Sequence, residues 1–157
     1  MTLPLENVRD YPRPPALEPV PHLLRGEVAG QVLFATHKGL RILETHHAPT
    51  YYIPLAEMAP DALHPSLHRS FCEWKGHAKY FDLVFAGRTV KSAAWTYPNP
   101  TAAFEALKDH VAIYAHAIDA VWVGDDKVTP QPGSFYGGWV TSNLRGIVKG
   151  GPGTEGW

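Results

Sequence analysis

Hydrophobic and polar residues alternate along several short segments of the chain, and this period of two predicts β-strands. Residues 31–36, 40–45 and 50–54 each predict a strand, the first joined to the strand before it by a turn at Ala29-Gly30. In segment 40–45 the alternation places Glu44 on the same face as the apolar residues of that strand. The first third of the folded chain is therefore expected to be sheet.

The clearest predicted hairpin joins residues 79–85 to residues 88–97 through Ala86-Gly87. Both arms are rich in β-branched and aromatic residues, which favour strands, and a turn ending in glycine suits a two-residue connection. Pairing around this turn brings Tyr80 opposite residues 93–95. An aromatic cluster is expected on that part of the sheet.

One main helix is predicted, over about residues 99–110, because Asn99 suits a helix cap and Pro100 suits the first turn. Residues 111–123 are rich in Val, Ile, Tyr and Trp and predict a return to strand. Many short strands with one helix indicate an α+β, predominantly β fold. Such a fold is either a compact antiparallel sheet or a barrel-like domain.

The chain is predicted to consist of an arm and one domain. Residues 1–21 are rich in proline, which lacks an N–H and resists helix formation, so they are expected to form an extended N-terminal arm along the domain or along a second subunit. Residues 22–157 form a single β-rich domain with a glycine-rich C-terminal tail. The arm makes a homo-oligomer one candidate assembly.

The composition limits the kinds of partner that the protein is expected to bind. The 157 residues include 14 basic and 15 acidic side chains without a basic run, which argues against a nucleic-acid or membrane-surface partner. The single cysteine, Cys72, excludes a disulfide within the chain and fits a reducing compartment. Without a signal-peptide pattern or a long apolar run, we expect a cytoplasmic protein.

The segment from Phe71 to Gly76 holds the most reactive residue types. Cys72 and Lys75 are close enough in sequence for the ammonium to favour the thiolate form of the cysteine, and both are candidate catalytic residues. Gly76 permits a sharp backbone turn after them. The competing interpretation is a buried cysteine beside an ordinary surface lysine.

Four aromatic residues are candidate ligand-binding residues: Tyr52, Tyr80, Trp95 and Tyr97. Trp95 and Tyr97 lie on one face of their strand, and hairpin pairing brings Tyr80 beside them. Tyr51 and Tyr52 must point to opposite faces, so only one of the two belongs to any pocket. The rings predict either a ligand-binding wall or cross-strand core packing.

Glu44 is the third candidate catalytic residue, as a general base facing Lys75 or Arg41. A structural ion pair is the alternative. His64 and His68 have the spacing of two metal ligands on a helix, but Pro65 and Ser66 between them disfavour a helix. We therefore predict no metal site, and no motif indicates a particular cofactor.

Several of these motifs together resemble a known family. They are Glu44, residues 51–54, residues 72–80 and residues 94–98, followed by Tyr136-Gly137-Gly138-Trp139 and residues 149–154. In this order they are similar to the family catalogued as domain of unknown function family 427, which carries a nucleotidyltransferase-like label. The similarity runs from about Arg25 to Trp157.

The resemblance implies a compact, mainly β fold whose activity is unassigned. The positions that family members share match the three candidate catalytic residues and the four candidate aromatic residues. Members often carry proline and tyrosine where this chain has Glu73 and Trp74, and the Glu73 carboxylate opposes thiolate formation at Cys72. Nucleotidyl transfer usually needs paired carboxylates, and the pair Asp125-Asp126 falls in a predicted turn.

Three functional hypotheses follow. The first is a small-molecule-binding domain with an aromatic-walled pocket, in which Lys75 engages an anionic or carbonyl group beside Cys72 and Glu44. The second is a non-catalytic binding or oligomerisation module that uses the proline-rich arm. The third is a redox or transfer enzyme that depends on Cys72. The sequence leaves open whether any pocket performs catalysis.

Overall fold

Two antiparallel sheets form the framework of the protein. The computed structural model describes residues 3–133, 135–151, 153–155 and 157. Met1 and Thr2 of the predicted arm, and Pro152 and Gly156 of the glycine-rich tail, lie outside the described residues. The strands in chain order are β1 Glu6–Asn7, β2 Ala16–Pro19, β3 Leu24–Val28, β4 Gln31–Thr36, β5 Leu40–Leu43, β6 Thr50–Pro54, β7 Leu63–Cys72, β8 Gly76–Phe85, β9 Arg88–Thr96, β10 His110–Ile113, β11 Ala120–Val123, β12 Asp126–Lys127, β13 Thr129–Pro130, β14 Trp139–Val140 and β15 Leu144–Arg145.

The larger sheet has seven strands in the order β2-β5-β6-β10-β9-β8-β7, and the smaller has four in the order β12-β11-β3-β4. The larger sheet is open, with β2 and β7 at its edges. Two short pairs complete the framework: β1 lies parallel to β15, and β13 lies antiparallel to β14. The predominantly β, antiparallel prediction is confirmed.

The described helical segments are short 3-10 turns: Val8–Asp10, Leu55–Glu57, Ala102–Leu107 and Ala115–Ala117. The helix predicted over about 99–110 is present as the six-residue segment Ala102–Leu107. Phe104 departs from helical backbone angles within it, and Asp109 adopts a positive φ just beyond it, so the helix cannot extend.

The two-residue hairpins are confirmed. Ala29-Gly30 joins β3 to β4 and Ala86-Gly87 joins β8 to β9, with positive φ at all four turn residues. This geometry matches the right-handed twist of the flanking strands. In the second hairpin, Tyr80 pairs with Trp95, which lies within the predicted range 93–95, because a register shift between Phe81 and Leu83 moves the pairing beyond the register that the turn sets.

The prediction of one continuous strand over 111–123 is wrong. The chain forms β10, turns through Ala115–Ala117 and then forms β11. β10 belongs to the larger sheet and β11 to the smaller, so the backbone must cross between the two sheets at this point. The apolar composition suits both strands, because each is buried, and gives no sign of the crossing.

Each face of the larger sheet covers a separate apolar core. One core faces the smaller sheet and contains Tyr51, Ile53 and Trp139. The other lies beneath Ala102–Leu107, where Phe104 and Leu107 are buried. The predicted opposition of Tyr51 and Tyr52 is confirmed, since the first belongs to one core and the second to the other.

The N-terminal segment pairs with its own chain. β2 lies antiparallel to β5, and β1 pairs with β15. Arg41 of β5 binds two carboxylates of the arm: its Nη atoms lie 3.1 and 3.0 Å from Glu6, and its Nε lies 2.6 Å from Glu18. The Tyr11 hydroxyl donates to Glu6 as well. Whether the arm is a separate unit stays a prediction.

No helix within the described residues is long and apolar enough to cross a membrane.

Replacing Arg41 by methionine should lower the free energy of unfolding by about 3 kcal/mol, because two mostly buried carboxylates would lose their shared partner. Urea unfolding measures this. Arg9→Met is the matched control, since Arg9 and Asp10 form an ion pair on the same arm that is 71% exposed on both sides. The control should change stability by less than about 0.5 kcal/mol. Equal losses in both variants would contradict the assigned role of Arg41.

Glu6 should contribute a pH-dependent part of this stability. Burial opposes its charged form, but hydrogen bonds from Arg41 and Tyr11 outweigh burial and hold the pKa of Glu6 below its ordinary value of 4.5. The contribution is therefore present above pH 4.5 and lost as the pH falls through the lowered pKa. Glu6→Gln should be less stable than the original protein at pH 7, and the difference should shrink towards pH 3. An Asp10→Asn control should change stability at pH 7 much less than Glu6→Gln, because the ion pair of Asp10 is exposed.

Candidate functional site

A β-hairpin positions the segment that the sequence singled out. Cys72 is the last residue of β7 and pairs with Gly76, the first residue of β8, so Glu73, Trp74 and Lys75 form the connecting loop. Gly76 has a φ of 107°, which a side chain would strain. The loop is a tight hairpin end, and this geometry brings Cys72 and Lys75 close together.

Thr101 attaches this loop to the rest of the protein. Its backbone N–H donates to the Lys75 carbonyl at 3.1 Å, and its hydroxyl donates to the Trp74 carbonyl at 2.6 Å. A Cβ at Gly76 would lie only 3.3 Å from the Asn99 carbonyl oxygen, so the backbone at Gly76 passes close to that carbonyl. These contacts give the exposed hairpin end a defined position above the sheet.

The Lys75 ammonium lies 5.5 Å from the centre of the Tyr97 ring, a cation–π distance. Tyr97 is buried, and burial raises its pKa, so it remains an uncharged phenol at neutral pH. Of the described carboxylates, none lies within 4.0 Å of this ammonium. Lys75 therefore lies against an aromatic ring and forms no ion pair with a described carboxylate.

Trp95 lies at the centre of a group of rings. Its indole is 6.3 Å from the Tyr80 ring and 4.6 Å from the Tyr114 ring. The Tyr80 hydroxyl is 2.9 Å from the Ser70 hydroxyl on β7. The rings pack across strands and also border a cavity, and whether they bind a ligand stays a prediction.

A cavity of about 380 Å³ lies in front of these rings. Six of the seven predicted site residues line it: Glu44, Cys72, Lys75, Tyr80, Trp95 and Tyr97. Tyr52 does not line the cavity. It is fully buried behind the wall with its ring 6.5 Å from that of Tyr97, so it supports the wall from the core.

The two remaining predicted catalytic residues occupy different surroundings. Cys72 is a free thiol, partly buried against the second core. Glu44 has its nearest basic partner in Arg13, at 4.0 Å, whereas Arg41 binds Glu6 and Glu18 on the other face of β5. The roles of Cys72 and Glu44 stay predictions.

The C-terminal tail, by which we mean the chain from Gln131 onward, lines another part of the cavity. Gly137 lies against the outer edge of the six-membered ring of Trp95, and a Cβ at this position would overlap that ring. A Cβ at Gly138 would overlap the Gln131 side chain and the Ala48 carbonyl. The tail can lie this close to the sheet only because both residues lack a side chain.

Trp139 follows the two glycines and anchors the tail in the core between the sheets. It is fully buried, stacks on Tyr51 at 4.9 Å and on Phe34 at 6.2 Å, and donates its indole N–H to the Ile113 carbonyl at 3.0 Å. A buried tryptophan with a satisfied N–H is a strong packing anchor. The position of the tail beside the cavity follows from this anchor.

His47, Gln131 and Lys149 form a polar group on the tail side. The Gln131 amide nitrogen donates to the Lys149 carbonyl at 2.9 Å and to His47 Nδ1 at 3.2 Å. The Lys149 carbonyl can only accept, so it sets the orientation of the amide, and His47 then carries its proton on Nε2. Burial, with the positive charges of Lys149, Lys75, Arg13 and His46, lowers the pKa of His47 to about 4.

The sequence interpretation missed this tail side. The contact between His47 and Gln131 joins residues far apart in the chain, and nothing in the spacing of either segment indicates it. The paired glycines before Trp139 were the one available signal, because two adjacent glycines beside a large aromatic residue suit a close backbone approach.

His64 and His68 lie in β7, a strand that the sequence did not predict. Across the described part of the chain, no group of three or more His, Cys, Asp or Glu side chains could hold a metal ion. Asp125 and Asp126 lie at a turn and at the start of β12, and Asp126 accepts hydrogen bonds from Ser142.

The family model described as domain of unknown function (DUF427), which carries an NTP-transferase label, matches residues 16–124. A search of curated proteins found no match to the chain. The family match spans more than half of the chain, and the chain therefore belongs to DUF427. The tail residues that line the cavity lie outside the matched range.

Replacing Gly137 by alanine should displace the tail from Trp95, because the new methyl group would overlap the indole. We expect the fluorescence of the protein to shift to longer wavelength as Trp95 becomes hydrated, and stability to fall by about 1–3 kcal/mol. Gly151→Ala is the matched control in the same tail, where the new Cβ would meet its nearest neighbour at an ordinary 3.6 Å. If the two variants behave alike, the tail does not pack on Trp95.

Proposed function

We propose that this member of DUF427 is a binding domain for a planar small molecule. The ligand would occupy the cavity in front of Trp95, with Lys75 engaging an anionic or carbonyl oxygen of the ligand. One observation carries the proposal: an ammonium without a carboxylate partner among the described residues lies 5.5 Å from a buried tyrosine ring at the edge of an aromatic-lined cavity.

The size and lining of the cavity support this proposal. A volume of about 380 Å³ falls within the range of small-molecule sites, which combine apolar walls with a few polar groups. Trp95, Tyr80 and Tyr114 offer ring surfaces, while Lys75, Glu44 and Cys72 supply polar atoms. Planar ligands fit such sites because rings stack on rings at little entropic cost.

The position of Lys75 supports a recognition role for it. A surface lysine normally loses several rotatable bonds when it is held in place, and it gains little from doing so. Here the backbone that carries Lys75 is fixed by Thr101 on one side and by the turn at Gly76 on the other. The ammonium is therefore held near the cavity before any ligand arrives, which lowers the entropic cost of binding.

The alternatives from the sequence rest on weaker support. An association role for the proline-rich arm competes with the pairing of β1 and β2 to their own chain. A redox or transfer reaction at Cys72 needs an accessible, activated thiol, whereas Cys72 lies partly buried against the second core. Neither alternative uses the cavity as a whole, which is the reason that we favour small-molecule binding.

The proposal can be tested with a library of soluble aromatic fragments containing acids, amides and alcohols. Binding should shift the indole N–H resonance of Trp95 in nitrogen–proton NMR spectra, assigned with a Trp95→Phe variant. The Trp139 resonance should stay in place, because its N–H is bonded in the core. If no fragment moves the Trp95 resonance, the cavity does not bind small planar molecules.

Replacing Lys75 by methionine should weaken the fragments that carry an acid or carbonyl group by about tenfold or more, because a charge-assisted hydrogen bond would be lost. The dissociation constants come from the same titrations. Lys79→Met is the matched control, since Lys79 is exposed on the same hairpin and does not line the cavity. An equal loss in the control would show that Lys75 makes no specific contact.

A further inference from the structure

The cavity contains a second lysine that the sequence did not indicate. Lys149 lies on the tail side, with its ammonium 5.6 Å from the centre of the Tyr136 ring. Among the described side chains, no carboxylate lies within 4.0 Å of this ammonium. Lys75 and Lys149 therefore line one cavity, each within cation–π distance of a tyrosine ring and neither within 4.0 Å of a carboxylate of the described residues.

His47 lies within the electrostatic reach of both lysines. Lys149 and Lys75 both act on its ring, and the other charged groups that act on it, Arg13 and His46, are also basic. Lys75, Lys149 and His47 all line the same cavity. His47 keeps its proton on Nε2, because Gln131 donates to Nδ1.

The acidic residues of the cavity do not cancel this positive region. Glu44 has Arg13 as its partner at 4.0 Å, and the side chain of Glu73 is exposed to solvent at the hairpin end. Solvent screens an exposed carboxylate strongly, whereas a partly buried region is screened much less. The part of the cavity around His47 is therefore positive although the whole chain has a net charge of −1.

We propose that the cavity selects planar molecules that carry a carboxylate or phosphate group, and that this anion is held by the Lys75 and Lys149 ammonium groups and by the Nε2–H of His47. The inference rests on the proposed small-molecule function and specifies its ligand class. The aromatic wall holds the planar part, and the three donors hold the charge. A neutral histidine suits this role because it donates without adding a third positive charge to be desolvated.

Four probes that share one ring test the charge requirement: indole-3-acetate, indoxyl phosphate, indole-3-acetamide and tryptamine. Dissociation constants are measured at pH 7 by isothermal titration and by the shift of the Trp95 indole resonance. We expect at least one of the two anions to bind about tenfold or more tightly than the neutral amide, and tryptamine to bind more weakly than the amide. The two anions together distinguish carboxylate from phosphate recognition.

Single-residue variants test which side chains bind the anion. Lys149→Met and Lys75→Met should each remove most of the preference for the anion over the amide, while the affinity for the amide changes by less than about twofold. Lys79→Met should keep the preference. Methionine retains the length of the lysine side chain and its packing on the tyrosine ring, so each variant should keep the fold. The chemical-shift spectrum of each variant verifies this.

The titration of His47 provides an independent readout. A bound anion next to the ring should raise the pKa of His47 from its low value, against the effects of Lys149, Lys75, Arg13 and His46, and NMR titration of the imidazole with and without the probe measures the change. Indole-3-acetamide should leave it unchanged. An upward shift that is equal for the acid and the amide would contradict anion contact at His47.

The outcomes separate this inference from the proposed function. If none of the four probes moves the Trp95 resonance, and the fragment library does not either, the small-molecule function itself fails. If all four probes move it with similar affinities, or if Lys149→Met keeps the preference for the anion, the cavity binds planar molecules but the anion site is wrong.

Discussion

The burial of Trp139 is the constraint on which the rest of the structure depends. Its indole stacks between side chains of the two main sheets, from Phe34 of β4 and Tyr51 of β6, and donates its N–H to the backbone of β10. A large ring placed there fills the space between the sheets, and few other side chains could replace its volume. Because Trp139 also belongs to the C-terminal tail, its packing in the core determines the position of the tail.

The cavity is a consequence of that anchor. With Trp139 fixed, the two preceding residues must pass beside Trp95 and Ala48, and the absence of side chains at Gly137 and Gly138 allows it. The tail then bounds a space whose floor is the second face of the larger sheet. The hairpin end that carries Lys75 closes a third side, held by Thr101. Three segments distant in sequence thus make one cavity around Trp95.

The parts of this structure that could be predicted from the sequence are local. The turn at Ala86-Gly87 was enough to bring Tyr80 near residues 93–95. A register shift between Phe81 and Leu83, which the turn does not reveal, then sets Tyr80 opposite Trp95. Strand β7 could not be predicted in the same way. It is an edge strand with a register shift between Pro65 and Arg69, and its largely exposed polar residues show no alternation.

The tail side of the cavity was unpredictable for a different reason. The hydrogen bond from Gln131 to His47 spans most of the folded chain, and a single sequence contains no periodicity that reports such a contact. Sequence reasoning therefore singled out Lys75, Tyr80, Trp95 and Tyr97, which line the cavity, but it did not indicate that Lys149 and His47 line it as well.

The residues that line the cavity lie on both sides of the end of the family match. The floor and the Lys75 hairpin lie within the range that matches DUF427, whereas Gln131, the two glycines and Lys149 lie beyond its end at residue 124. The sheet can keep its packing while the side chains of the tail change, because Trp139 alone connects the tail to the core between the sheets. The cavity is thus built from two parts that meet at Trp95: a floor from the sheet, within residues 16–124, and a boundary from the tail beyond them.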